Sequence, residues 1–146
     1  MGICNGFQIL VEAELVPGVL LRNKYLEFIC KNVFVKLDNK INPYFKNLDK
    51  DVFEFHIAHN EGNYFCTKDQ LKEIEDNSQI AIYYCNDEGK IDDEFNPNGS
   101  IRNIAGIFNK EKNVLGMMPH PERMIDSSLS GEDGSLFFKN LINNIK

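Results

Sequence analysis

Two stretches of this 146-residue chain, one near each end, carry side chains that together could perform nucleophilic chemistry. In the first, MGICNGFQIL, Cys4 stands between Gly2 and Gly6. The thiolate is the nucleophilic form of cysteine. A G-x-C-x-G run resembles the nucleophile elbow, a sharp strand-to-helix turn whose small neighbours hold the reactive side chain outward. Both glycines are read as supplying that clearance. Phe7, Leu10, Val11 and Leu15 then recur at helical spacing, which places Cys4 at the N-terminus of an amphipathic helix, where the dipole and free N–H groups favour a thiolate. Gln8 lies one turn on, its carboxamide leaning back toward the thiol. In the second stretch, GMMPHPER, His120 sits between two prolines, and Pro121 biases it toward an extended backbone. Residues two apart then share a side, so Glu122 is expected beside His120, fixing its tautomer and stabilising it when charged. The three residue types are those of a nucleophile, base and orienter triad. The plainer alternatives are a buried, inert cysteine and a surface histidine beside an acidic residue.

These residues need elements to position them. Pro17 and Gly18 make a stop and turn after the first helix, and Val19 to Leu21 form a short apolar piece. Phe28 to Leu37 and Val52 to Ala58 read as strands, the second by strict alternation, joined across a surface loop from Asp38 to Asp51 that contains Pro43. They are expected to form an antiparallel hairpin added to the main sheet. A polar turn from His59 to Asn63 leads into a short aromatic strand, Tyr64 to Cys66. Thr67 and Gln70 fit a capping box for a helix through about Asp76, contacting the core through Leu71 and Ile74. Ile80 to Cys85 reads as a buried strand. The Asn-, Asp-, Gly- and Pro-dense run from Asn86 to Ser100 could form part of a site but reads first as a solvated connector. Ile104 to Phe108 and Val114 to Met118 form a hairpin that delivers His120, and Leu136, Phe137, Leu141, Ile142 and Ile145 mark a closing helix.

Composition sets the bounds. The length suits one domain, 1–146, and the absence of repeats or low-complexity tracts gives no internal boundary. A net charge of −6 argues against nucleic acid and anionic membrane partners. No apolar run reaches the length of a membrane span and no charged leader precedes the first helix, so a cytoplasmic protein is expected. The four cysteines, at 4, 30, 66 and 85, show no C-x-x-C pair and no histidine at metal-ligand spacing. They read as free thiols, without zinc. Cys30, Cys66 and Cys85 read as small core residues.

GICNGFQ together with GMMPHPER resembles the class I glutamine amidotransferase domain. CNGFQIL, PGVLLRN, AHNEGNYF, and IAGI with NVLGMMPHPER are similar, within it, to glutaminase subunits of phosphoribosylformylglycinamidine (FGAM) synthases of purine biosynthesis. The resemblance implies an α/β, flavodoxin-like three-layer sandwich, of which this chain would be the C-terminal portion with the added hairpin. It further implies Cys4 as nucleophile, His120 as base, Glu122 as its orienter, Gln8 in the glutamine pocket and the Asn5 N–H as an oxyanion donor. The turn from His59 to Asn63 would lie near the pocket or the synthase interface. Expected partners are glutamine and the synthase's large and small accessory subunits. No phosphate-binding loop is present, so ATP and Mg are expected on the partner.

The resemblance begins at the elbow. Members of the family carry strands and a glycine-rich loop before it, the loop giving a second oxyanion N–H, so about the first third of the domain is expected outside this chain. Because losing one such donor typically costs about a hundredfold to a thousandfold in rate, the 146 residues alone are expected to show at most trace glutaminase activity and to aggregate. Two other readings compete: a non-catalytic remnant that serves the synthase as an interaction module, and a cysteine hydrolase of the protease or glyoxalase type. The last ranks below the others, because its base usually follows the nucleophile closely, whereas His56, the nearest histidine, is distant.

Overall fold

A computed structural model describes residues 1–38, 42, 44–128 and 130–144. The alternating segments give a six-stranded mixed sheet in the order β1 (Gly2–Ile3), β8 (Leu115–Met117), β7 (Ile104–Phe108), β6 (Ile80–Cys85), β3 (Ile29–Leu37), β4 (Val52–His59). Only the β1–β8 pair is parallel among the described strands; the others are antiparallel. The expected β3–β4 hairpin forms with Ile29 opposite His59 and Lys36 opposite Val52. It is joined to the sheet through β3, which pairs with β6.

Helices cover both faces, as a three-layer α/β arrangement requires. Neighbouring strand residues point to opposite sides, and they sort into two buried clusters. Ile104 and Met118 join Phe7 and Val11 of α1 (Asn5–Glu12) and Ile74 of α2 (Lys68–Asp76). Ala105 and Met117 join Phe53, Phe55 and Phe137, the last from α3 (Asp133–Asn144). The capping box of α2 forms as read, with the Gln70 N–H donating to Thr67 Oγ1 and the Thr67 N–H to Gln70 Oε1. A separate two-stranded sheet pairs β2 (Val19–Leu21) with β5 (Asn63–Phe65).

Several sequence expectations need correction. The first helix ends at Glu12 and Leu15 is 52% exposed, because Glu14 turns to φ 56° and the Leu15 N–H folds back to the Leu10 carbonyl, before the turn at Pro17 and Gly18. Gly18 is required there: its φ is +96° and a Cβ would fall on the Tyr64 ring. The loop after β3 is anchored, since Phe45 is buried against Phe108 and Phe137; Pro43 lies outside the described residues. The run from Asn86 to Ser100 is solvated over most of its length, as expected, but not at its end. Asn98 is 0% exposed and Ser100 is buried, both bonded to the carbonyl of Gly62. Cys66 and Cys85 are buried as expected, but Cys30 is exposed on the outer face of β3. In the closing helix Phe137 and Leu141 are buried while Ile142 is exposed, and Ile145 lies outside the described residues.

Candidate active site

The sheet order brings the two ends of the chain together. β1 lies beside β8, so Cys4, which follows β1, and His120, three residues after β8, emerge from the same end of neighbouring strands. Cys4 continues the pairing, its N–H donating to the Met117 carbonyl at 2.8 Å. There the chain bends abruptly into α1: Cys4 has φ 51° and ψ −107°, a conformation that L-residues seldom adopt. The sharp strand-to-helix turn read from G-x-C-x-G is thus present. Its clearance comes from Gly2, whose Cβ would lie 2.5 Å from the Gly6 carbonyl oxygen. Gly6 itself faces open space, so its expected steric role is absent.

His120 is held by its backbone, whose N–H donates to the His56 carbonyl of β4 at 2.7 Å. Its φ of −104° and ψ of 86° keep it out of the helical region, as expected before proline, but stop short of the extended backbone. Glu122 reaches it by another route than the one expected. Pro121 opens a short 3₁₀ turn, Pro121–Arg123, a position proline favours. Within that turn Glu122 Oε1 still comes to 2.5 Å from His120 Nδ1. With Nδ1–H donated to the carboxylate, Nε2 is left with its lone pair, and it has no partner among the described residues.

Cys4, Asn5, Gln8, His59, His120 and Arg123 line one cavity of about 500 Å³. Cys4 and His120 are 9% and 8% exposed, and Glu122 stands behind the ring and outside the lining. Burial dominates the thiol and pushes Cys4 above its ordinary pKa, against the opposing pull of the Asn5 N–H and the Arg123 guanidinium; the Glu122 carboxylate adds to the rise. The helix terminus alone therefore does not yield the ready thiolate that sequence reasoning expected, and a base must take the proton. Gln8 is fixed, its Nε2 donating to the Glu61 carbonyl at 3.0 Å, which ties α1 to the turn after β4.

That turn, expected near the pocket or the synthase interface, lines the cavity and is built around His59, to which sequence reasoning gave no role of its own. It is 3% exposed, with Nδ1–H donated to Asn23 Oδ1, and its Nε2 has no partner among the described residues. Burial, then the nearby His120, lowers its pKa to about 4. Gly62 is glycine because a Cβ there would lie 2.3 Å from the His59 ring. Asn98 donates to the Gly62 carbonyl and to the Tyr84 hydroxyl, and the Ser100 hydroxyl donates to the same carbonyl while accepting the Tyr64 N–H. Arg123 was also missed, although it stands inside the quoted PHPER run. No spacing rule links Asn23, Asn98 or Ser100 to the site, since the contacts join residues 36 positions apart. Among the described residues no cluster of three metal-ligating side chains occurs, and no helix is long and apolar enough to cross a membrane.

Comparison with known proteins gives a consistent picture. A family described as CobB/CobQ-like glutamine amidotransferase domain matches residues 1–131. The chain is 73% identical over 146 residues to the protein named phosphoribosylformylglycinamidine synthase subunit PurQ of Pelagibacter ubique, covering all of this chain and 64% of that one. It is 46% identical over 143 residues to the protein of the same name from Aquifex aeolicus, covering 97% of this chain and 63% of that one. The chain thus spans a little under two thirds of the length of these curated relatives. Among solved structures, that of PurLQS from Thermotoga maritima matches with a TM-score of 0.81 at 37% identity, over the whole of this chain and 61% of that one.

Proposed function

We propose, for a chain that belongs to the CobB/CobQ-like glutamine amidotransferase domain family, that its site hydrolyses glutamine and supplies ammonia to an FGAM synthase in purine biosynthesis. One observation carries the reading. A thiol on a strained strand-to-helix turn and an imidazole with an unpartnered Nε2, backed by a carboxylate, line the same cavity. The names of the relatives supply the pathway.

In this reading His120 Nε2 takes the Cys4 proton as the sulfur attacks the side-chain carbonyl carbon of glutamine. Coupling the two events offsets the raised pKa of the thiol. The Asn5 N–H, at the start of α1, donates to the developing oxyanion. The imidazolium, stabilised by Glu122, protonates the departing ammonia, and the same ring then activates the water that releases glutamate from the thioester. Gln8 and Arg123 face the substrate's polar groups across the cavity. The synthase's large and small accessory subunits are the partners, ATP and Mg bind the large subunit, and the setting is the cytoplasm.

The test is covalent labelling by an electrophilic glutamine analogue, mapped by peptide mass spectrometry. Labelling at Cys4 that excess glutamine blocks, and that Cys4→Ala abolishes, is expected. Equal labelling with and without glutamine would sink the activity while leaving the family membership intact.

A further inference from the structure

A second cysteine has the surroundings of a nucleophile. On the outer face of the β3–β4 hairpin, Cys30 Sγ lies 3.4 Å from His56 Nε2. His56 Nδ1 lies 2.9 Å from Asn32 Oδ1, and Asn32 Nδ2 donates to Glu54 Oε1 at 3.1 Å. The register explains the grouping: Asn32 is directly opposite His56, and Cys30 and Glu54 are the diagonal neighbours on the same face.

The chain of contacts fixes the protons. The Glu54 carboxylate can only accept, so it commits the amide nitrogen of Asn32 and turns the amide oxygen toward His56. That oxygen also only accepts, so Nδ1 of His56 carries the hydrogen and Nε2 offers its lone pair to the thiol. Burial, followed by the Arg123 and His120 charges, holds His56 below the ordinary histidine value, so it is neutral near pH 7 and free to accept. The relay is also anchored at its far end, where the Glu54 N–H donates to Asp133 Oδ2 at 2.8 Å. Cys30 is exposed, whereas Cys4, Cys66 and Cys85 are buried.

We infer that Cys30 is a modification site, an imidazole-assisted thiol that exchanges with small disulfides through a Cys30–His56–Asn32–Glu54 relay. In the step, the Cys30 proton passes to His56 Nε2 as the sulfur attacks one sulfur of the disulfide. A new S–S bond forms as the old one breaks, and the departing thiolate takes the proton back from the imidazolium. Cys30 is oxidised to a mixed disulfide, and the other half of the reagent leaves as a reduced thiol. The site does not depend on the proposed glutaminase chemistry. Its product would sit on the strand pair whose His56 carbonyl holds the His120 N–H.

The probe is 2-hydroxyethyl disulfide, uncharged and small, with the rate at Cys30 followed by peptide mass spectrometry at pH 7. An ordinary thiol is only a few per cent ionised there, so an adjacent base can raise its rate by about tenfold. His56→Gln is therefore expected to slow Cys30 about tenfold, and Asn32→Ala to slow it less. Cys30 in the folded protein should also react faster than Cys30 in the chain unfolded by concentrated guanidinium, a comparison that needs no variant to fold. Equal rates in parent and His56→Gln, or a folded protein no faster than the unfolded chain, would reduce Cys30 to a merely exposed thiol and overturn the inference.

Discussion

Cys4 pays for its position in backbone conformation. A non-glycine residue at φ 51° and ψ −107° is strained by about 1–3 kcal/mol, and the bond from its N–H to the Met117 carbonyl helps hold it there. Two substitutions separate the strain from the chemistry. Both Cys4→Ala and Cys4→Gly remove the sulfur, but only glycine relaxes at this φ and ψ. Cys4→Gly is expected to be the more stable of the two by about 1 kcal/mol, part of the relief being cancelled by the greater freedom of glycine in the unfolded chain. Urea unfolding of the two proteins checks this, and an alanine variant as stable as the glycine one would mean that the turn is unstrained. That Cys4, His120 and Glu122 come together was legible because they sit in two short runs, GICNG and PHPER. The electrostatics were not legible. Which term dominates the thiol depends on burial, and burial is a property of the folded sheet.

At the scale of elements, local patterns foretold local structure. The alternation in β4, the capping box of α2 and the apolar runs of β7 and β8 were all visible because their causes lie within a few residues. What failed depended on distant neighbours. Asn98 and Ser100 have the composition of a loop, and only the Gly62 carbonyl from another segment makes them buried supports of the turn at His59. The glycines of the elbow show the same limit. Sequence treats Gly2 and Gly6 alike, yet a Cβ on Gly2 would collide with the Gly6 carbonyl while one on Gly6 meets nothing within 4 Å. Gly2→Ala must therefore push β1 away from α1, with an expected loss of about 1–3 kcal/mol, as for other overpacked sites. Gly6→Ala is expected to be neutral or to gain up to about 1 kcal/mol from helix propensity. Thermal unfolding of the pair decides, and equal losses would restore a steric role to both glycines.

Across the whole molecule, the site exists because a mixed sheet puts its first strand beside its last, and the same packing closes the turn around His59. This couples the protonation of one buried ring to global stability. His59 titrates at about 4 in the folded protein, against about 6.5 for an unfolded histidine. Between those values the unfolded chain binds the extra proton, so stability rises with pH across the window. The contribution is complete above about pH 6.5, is lost as pH falls toward 4, and is flat below. With the ring 3% exposed, the full shift converts to about 3 kcal/mol. Carboxylates titrate in the lower part of the same range, so the informative quantity is a difference. His59→Gln removes the titrating ring and leaves the carboxylates in place, and whatever it does to absolute stability, its unfolding free energy should fall less steeply from pH 7 to pH 4 than that of the parent. Parallel curves for the two proteins would place the acid sensitivity elsewhere and remove the buried, neutral His59 from the account of how the turn is held.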